Sequence, residues 1–349
     1  MKLSKSRGVF IVDSVGSPLW GAANARRSSY NCEILAATNF FSPLSLLKEI
    51  QSLKPDYLVF CWREAFDSVF SLHKTHKILS HMNPYVFLLI PDFISIHSFS
   101  QIEQDRVSNS DGIIFTCEKL KLEFEGLYRT HFSLVLYDLP DLKNIELANN
   151  LPIIKNKNQL IWIGNSKWGK RQGFIDHKGL KSLAYPVFDK IITKFPEFEF
   201  VVIDSSKKKI SNLEVLCKIK SATCLIMTSN SEGTGLPILE AAAVGTAIVT
   251  TDVGIAPELL KGLELNQIAP GNVTLYAEFL KSTIENYVQV GNLMKNCWRD
   301  YLEIIQLNNM SLNLPSVKDG RWREGSRNFH IQKLFHWKIR WLLHFFARL

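Results

Sequence analysis

Two glutamates, Glu232 and Glu240, have seven residues between them and bracket a glycine-containing segment that could bind a diphosphate. Gly233 and Gly235 allow the backbone to bend and to come close to a ligand. Pro237 suits the first position of a helix. A helix that begins after such a loop binds anions, because its first N–H groups lack partners within the helix and its dipole is positive at that end.

The carboxylates of this segment indicate what else the ligand carries. Phosphates would repel Glu232 and Glu240, whereas sugar hydroxyls are good partners for carboxylate oxygens, which are strong acceptors. The segment therefore suits a nucleotide diphosphate that carries a sugar. The alternative is an ordinary strand, loop and helix that happens to contain two glutamates.

The sequence around the two glutamates also resembles a known family. It reads Glu232-Gly-Thr-Gly-Leu-Pro-Ile-Leu-Glu240-Ala-Ala-Ala-Val-Gly245-Thr-Ala-Ile-Val-Thr250, with Gly254 and Pro257-Glu258 after it. This is similar to the E-x7-E motif of the retaining GT-B-fold nucleotide-sugar glycosyltransferases, the family 4-like or group 1 enzymes. The resemblance implies that Glu232 faces the donor sugar and that Glu240 binds the ribose. It also implies that the backbone from Gly233 to Leu236 holds the diphosphate.

A second segment, Leu160 to Leu180, matches the strand, glycine and Lys-Gly element of the same family, in which a basic pair neutralises the leaving diphosphate. Lys178 matches the family lysine, whereas Asn165 and Ser166 replace the arginine expected after the strand. Three residues could supply the second cation: Lys167, Lys170 and Arg171. Arg171 is favoured because its planar fork suits phosphate, and the alternative is a solvated loop charge.

The same segment contains Gly164-x4-Gly169-Lys170 after a predicted strand, which is close to a P-loop. Arg171 stands where a P-loop has the Ser or Thr that binds magnesium, so we do not expect a P-loop. The chain has no D-x-D sequence and no His/Cys cluster with zinc spacing. We therefore expect no metal and no cofactor, and we expect Lys178, a second cation and the helix N-terminus to stabilise the leaving group.

The first half resembles the family more loosely. Gly16 lies in the loop after the first strand, where the family has a glycine loop that borders the donor phosphates and the acceptor, although a plain turn is equally expected. Asp92 follows the predicted strand Tyr85–Ile90 and is expected to contact the acceptor, the alternative being a turn cap. Arg63 and Glu64 are weaker candidates of the same kind.

The candidate site residues fall into two groups. The candidate catalytic residues are Glu232, Lys178, Arg171 and Asp92. The candidate donor-binding residues are Gly16, Gly164, Ser231, Gly233, Thr234, Gly235, Leu236 and Glu240. Thr234 stands where the family often has a bulky aromatic residue.

These residues must be positioned by strands that alternate with helices. Short β-branched and aromatic runs predict nine buried strands, the pattern of parallel α/β sheets: Val9–Val12, Tyr57–Cys61, Tyr85–Ile90, Gly112–Thr116, Ser133–Tyr137, Leu160–Ile163, Glu199–Ile203, Ala222–Met227 and Thr246–Thr250. Asp138–Asn158 is rich in Pro and Asn and predicts a linker. We therefore expect an α/β fold of two doubly wound Rossmann-like domains, residues 1–150 on the acceptor side and 151–317 on the donor side, with a cleft between them.

The charge is distributed unevenly. The chain carries a net charge of +8, but residues 318–349 contain eight basic and two acidic residues, so the rest is nearly neutral. Residues 320–349 predict a basic amphipathic helix rich in Trp and Phe, of the kind that lies on anionic membranes. The alternative is that this helix packs back onto the first domain. No recognition module accompanies these charges, so we expect no nucleic-acid partner.

Composition restricts the class and the compartment. With 46% hydrophobic and 21% charged residues, the chain is neither disordered nor collagenous, and its six scattered cysteines are expected to be reduced. No signal peptide and no spanning segment is predicted. The expected location is the cytoplasm, either free or as a peripheral protein on the inner face of the cell membrane.

The resemblance implies a glycosyltransferase of the hexosyltransferase type. It would act without a metal and transfer a sugar with retention from a nucleotide diphosphate sugar to a glycan or lipid-linked acceptor. Together with the basic tail, it suggests cell-surface polysaccharide or lipopolysaccharide biosynthesis. The alternatives are a catalytically silent GT-B-like scaffold and, with less support, a basic nucleic-acid-binding protein.

Overall fold

The structure is a computed structural model of the 349-residue chain. It describes residues 6–15, 23, 32–72, 75–91, 100–170, 173–263 and 267–311. Three candidate site residues, Gly16, Asp92 and Arg171, lie outside the described residues. The predicted amphipathic helix of residues 320–349 also lies outside them.

The first half forms a parallel sheet with strand order β2-β1-β3-β4-β5-β6. Its strands are β1 Gly8–Val12, β2 Cys32–Ala36, β3 Tyr57–Phe60, β4 Tyr85–Ile90, β5 Gly112–Phe115 and β6 Ser133–Val135. The sequence predicts all of them except β2, in which Glu33 interrupts the apolar run and three of five residues are half-buried. The prediction of buried strands is confirmed for β1, β3, β4 and β5, whose residues are all buried.

Helices alternate with the strands of this sheet. They are α1 Pro43–Leu53, α2 Arg63–Phe70, α3 Thr75–Met82, α4 Gln101–Ser108 and α5 Glu118–Glu125. Local sequence explains where some of them begin. Ser42 and Ser45 form a reciprocal capping box at the start of α1, and Cys117 caps α5 by accepting from the backbone N–H of Leu120.

The second half forms a four-stranded parallel sheet with strand order β10-β9-β7-β8. Its strands are β7 Gln159–Gly164, β8 Glu199–Asp204, β9 Cys224–Met227 and β10 Ala247–Thr250. The helices are α6 Leu142–Asn150, α7 Tyr185–Lys194, α8 Asn212–Ser221, α9 Leu236–Val244, α10 Ala256–Leu259, α11 Val273–Glu285 and α12 Tyr287–Ser311. A π-helical turn, Leu180–Ala184, precedes α7. The α/β fold with parallel sheets is thus as predicted, but β8 is mostly half-buried and not buried as predicted, because it lies at the edge of the sheet.

Helix α6 lies inside the segment that the sequence predicts to be a linker. The side chain of Asp141 caps it, and Lys220 of α8 donates to the carbonyl oxygens of Ala148, Asn149 and Leu151. These contacts hold α6 against the second half of the chain. The division into domains at residue 150 stays a prediction.

The strand order of each sheet identifies where a ligand would bind. In the first sheet the order reverses between β1 and β3, and in the second between β7 and β9. Ligands of such sheets bind outside the carboxyl ends of the strands at this switch point. In the second sheet this position holds Gly164, at the end of β7, and the loop that follows β9. Among the described helices, none has the length and apolar character needed to cross a membrane.

Candidate active site

The glycine loop, Thr228–Gly235, connects the buried strand β9 to helix α9. Gly235 has a φ of 78°, in the left-handed region, and α9 begins at the next residue with Pro237 in its first turn. The predicted strand, glycine loop and helix are therefore confirmed. Helix α9 begins directly after the loop, so its first N–H groups lie at the end of the loop, the arrangement in which helices bind anions.

Lys178 and Glu232, which are 54 positions apart in the sequence, meet at this loop. The Lys178 Nζ lies 2.5 Å from Glu232 Oε1, and each side chain is 13% exposed. Ser229 Oγ donates to the same carboxylate oxygen over 2.6 Å. The structure thus brings together two of the four candidate catalytic residues.

Trp168 contacts the lysine of this ion pair and His177 contacts Trp168 and the glycine loop, and sequence reasoning missed both. The Lys178 ammonium lies 4.8 Å from the centroid of the Trp168 ring, within the range of a cation–π contact. The His177 ring lies 4.5 Å from Trp168, and its Nε2 is 3.0 Å from Ser231 Oγ in the glycine loop. In the sequence, the feature that could have identified His177 is its position directly before Lys178.

The backbone after Lys178 touches the start of the glycine loop. Gly179 has a φ of 66°, and a Cβ added there would lie 2.0 Å from the carbonyl oxygen of Thr228. Thr228 Oγ1 donates to the carbonyl oxygen of Lys178 and accepts from Trp162 Nε1. This close packing fixes the position of Lys178 relative to the loop.

Glu240 has a different environment. It lies in α9, is 6% exposed, and accepts a hydrogen bond of 2.7 Å from Asn212 Nδ2 at the start of α8. Burial raises the pKa of Glu240 to about 7, against the smaller opposing effect of the hydrogen bond from Asn212. Its carboxyl group therefore changes charge near neutral pH.

Residues of the first half contact the glycine loop directly. Cys117 Sγ donates to the carbonyl oxygen of Gly233 over 3.1 Å, and Thr234 Oγ1 donates to Asp138 Oδ2. Burial raises the pKa of Cys117 to about 12, so its thiol keeps the proton that it donates. The conformation of the loop thus depends on both halves of the chain.

The turn after β7 has a structural role in place of the expected arginine. Ser166 Oγ donates to Asp204 Oδ2 over 2.7 Å, and its N–H donates to Oδ1. Burial alone would raise the pKa of Asp204, but the hydrogen bonds from Ser166 and Ser206 outweigh it and lower the pKa to about 2. Lys167 and Lys170 are exposed in this turn. Gly164 lies at the end of β7 against the Trp162 ring.

Within the described part of the chain, no group of three His, Cys, Asp or Glu side chains is placed to hold a metal ion. Besides Asp138, which Thr234 engages, the chemistry available at the glycine loop and α9 is that of Lys178, the carboxylates of Glu232 and Glu240, and a helix N-terminus. This set can bind an anion and hydroxyl groups side by side.

Residues 207–297 match the family model of glycosyl transferases group 1. The matched range contains Glu232, Glu240 and the glycine loop, whereas Lys178 precedes it. No curated protein matches the chain in sequence.

Solved structures share the fold of the chain. TarM of S. aureus is similar at 14% identity with a TM-score of 0.58, over 77% of this chain and 58% of TarM, so the chain spans little more than half of that protein. HepE of Anabaena, in complex with UDP and glucose, gives 14% identity and a TM-score of 0.59 over 88% of this chain and 100% of HepE. Sucrose-phosphate synthase of Thermosynechococcus elongatus gives 11% identity and 0.60 over 87% and 96%. At such identities the likeness is one of fold.

Proposed function

We propose that the chain is a glycosyltransferase that binds a nucleotide diphosphate sugar at the glycine loop. The observation that carries this proposal is the meeting of Lys178 and Glu232 at the switch point of the second sheet, next to the N-terminus of α9. A cation and a helix N-terminus suit a diphosphate, and a carboxylate suits sugar hydroxyls. The family match over residues 207–297 supports the same function.

Each group has a distinct role in this proposal. The first N–H groups of α9 and the Lys178 ammonium hold the diphosphate and stabilise the charge that grows on it as the bond to the sugar breaks. Glu232 accepts hydrogen bonds from the sugar, and Glu240 accepts from the ribose. Lys178 must then exchange part of its contact with Glu232 for the phosphate oxygens.

We also propose the stereochemistry of the transfer, the type of sugar, the groups that stabilise the leaving diphosphate, and the acceptor. Transfer retains the anomeric configuration, moves a hexosyl group, and uses Lys178 with the α9 N-terminus in place of a metal ion. The acceptor is a glycan or a lipid-linked glycan. Activity that survives an excess of chelator would support metal independence, and activity restored only by added divalent ions would refute it.

Binding of nucleotide tests the site directly. Thermal unfolding of the purified chain should shift upward in millimolar UDP, GDP or ADP, because a ligand that binds the native state stabilises it. UDP is the first choice, since HepE is named in complex with UDP and glucose. If none of the three changes the unfolding temperature, the donor site is refuted and a silent scaffold becomes the better description. Donor hydrolysis measured over a panel of nucleotide sugars then identifies the sugar.

The basic segment of residues 320–349 suggests the setting. We propose that it binds the anionic inner face of the cell membrane and brings the enzyme to a lipid-linked acceptor in cell-surface polysaccharide or lipopolysaccharide assembly. Deletion of residues 320–349 should abolish binding to anionic liposomes and leave a folded protein, with neutral liposomes as the control. A deletion variant that unfolds would show that the segment packs on the rest of the chain instead.

A further inference from the structure

Thr234, in the middle of the glycine loop, is tied to the segment that follows the first sheet. Its side chain is 5% exposed, and its hydroxyl donates to the carboxylate of Asp138, which is 8% exposed and 96 positions away. A buried hydrogen bond to a charged acceptor is among the stronger ones in proteins. Tyr301 of α12 holds the backbone of Asp138 by donating to its carbonyl oxygen over 2.7 Å.

Two further contacts hold the same part of the loop. Cys117 donates to the carbonyl oxygen of Gly233, and the N–H of Ile255 donates to the carbonyl oxygen of Thr234 over 2.9 Å. On the side of Ile255 the fit is tight, because a Cβ added to Gly254 would lie 2.4 Å from that carbonyl oxygen. Thr234 is therefore held between the first half of the chain and the loop after β10.

These contacts all engage oxygen atoms of the loop, and this determines where its N–H groups point. In a planar trans peptide the C=O of one residue and the N–H of the next point in opposite directions. Because the carbonyl of Gly233 faces Cys117 and that of Thr234 faces Ile255, the N–H groups of Thr234 and Gly235 point away from these partners. An anion bound at the start of α9 requires oriented N–H groups of this kind.

We propose that Asp138 is a positioning residue for the donor site: through the Thr234 hydroxyl it fixes the peptide groups of the glycine loop in the orientation that binds the diphosphate. This rests on the proposed nucleotide site. Asp138 acts through Thr234 and not by contact with the donor.

Isosteric replacement tests the role of the hydroxyl. Thr234→Val keeps the shape and removes the donor, and Asp138→Ala removes the acceptor. Each variant should bind UDP, with GDP and ADP measured in parallel, roughly tenfold more weakly, as expected for loss of a hydrogen bond to a charged group. Asp138→Asn, which keeps an acceptor oxygen, should restore part of the affinity. The matched control is Thr283→Val in α11, which removes a hydroxyl that bonds only its own helix and Gln267 in the described structure.

The double variant separates positioning from general destabilisation. If the two side chains act as one unit, their effects should not add. Asp138→Ala/Thr234→Val should then bind UDP with the same affinity as whichever single variant has the lower affinity. Fully additive losses, or losses matched by Thr283→Val, would overturn the proposal.

Hydrogen exchange measures how firmly the loop is held without any ligand. The N–H of Ile255, which donates to the carbonyl oxygen of Thr234, should exchange faster in Thr234→Val and Asp138→Ala than in the wild-type protein or in Thr283→Val. Unchanged exchange would refute the positioning role. If the wild-type protein binds none of the three nucleotides, the proposed function fails, while this measurement still decides whether Asp138 orders the loop.

Discussion

The surroundings of Glu232 and Glu240 differ, although one short segment contains both residues. Glu232 lies in a loop, and an ammonium and a hydroxyl contact one of its oxygens. Glu240 lies in an apolar helix, and the partner of its carboxylate is the neutral amide of Asn212. The sequence spacing therefore does not make the two carboxylates equivalent: one is balanced by a positive charge, and the other is kept in a site that penalises its charge.

The largest expected effect is that of removing the charge of Glu232. Glu232→Gln should reduce sugar transfer by at least about 100-fold, because a carboxylate at the reacting sugar would be lost while the side-chain volume is kept. The measurement is initial transfer rate, with Glu278→Gln on the exposed side of α11 as the control. A fully active Glu232→Gln variant would show that the sugar site is elsewhere.

The second largest expected effect is that of removing Lys178, the positive charge that neutralises the Glu232 carboxylate. Lys178→Met should weaken UDP binding by about 30-fold, since a charge-assisted contact to the diphosphate disappears. It should also lower stability, because Glu232 is left largely buried without its cation. Adding Glu232→Gln to Lys178→Met should restore stability but not binding. Lys181→Met, at an exposed lysine nearby, is the control, and equal losses in both variants would contradict this role.

Ionisation of Glu240 should make the stability of the folded chain depend on pH, and Glu240→Gln should remove this dependence. Its pKa in the folded chain is about 7, whereas an unfolded glutamate ionises near pH 4.3, so the folded state binds more protons between these values. The free energy of unfolding therefore falls as pH rises through this window, and the cost is fully present above pH 7. Glu240→Gln should have a higher free energy of unfolding than the wild type in denaturant titrations. This difference should be about 2 kcal/mol larger at pH 8 than at pH 5. A difference independent of pH would contradict this.

The smallest expected effect is that of Trp168. Trp168→Leu removes the cation–π contact to Lys178 and should change UDP affinity only a few-fold, in keeping with about 1 kcal/mol for such a contact. Calorimetric titration with UDP measures it, and Phe195→Leu, which removes the contact of 5.4 Å between Lys194 Nζ and the Phe195 ring just after α7, is the control. A loss as large as that of Lys178→Met would mean that Trp168 contacts the ligand itself.

Much of the fold could be predicted from the sequence because buried parallel strands are nearly continuous apolar runs. The exceptions have physical reasons. In β2 the polar Glu33 and partial exposure hide the strand. In α6 the Asn and Pro content of the surrounding segment suggests a linker, although Asp141 provides a good cap and contacts with α8 stabilise the helix.

The candidate site was predictable where residues lie in one motif. The glycine loop and its helix follow from Gly233, Gly235 and Pro237, and the resemblance to group 1 enzymes selected Lys178. The partners Asn212 and Asp138 were not predictable, because each contacts its glutamate or threonine across 28 or 96 positions of sequence. Such contacts depend on how the elements pack, which no local pattern encodes.

Gly179 shows how a residue without a functional group can be as restricted as a reacting one. Every larger side chain at this position would collide with the carbonyl of Thr228 and would also strain a left-handed backbone. In a deep mutational scan selected for activity, position 179 should therefore be as intolerant as position 178 or 232. A scan selected for abundance should rank them, since substitutions of Gly179 would reduce the amount of folded protein more than those of Lys178 or Glu232.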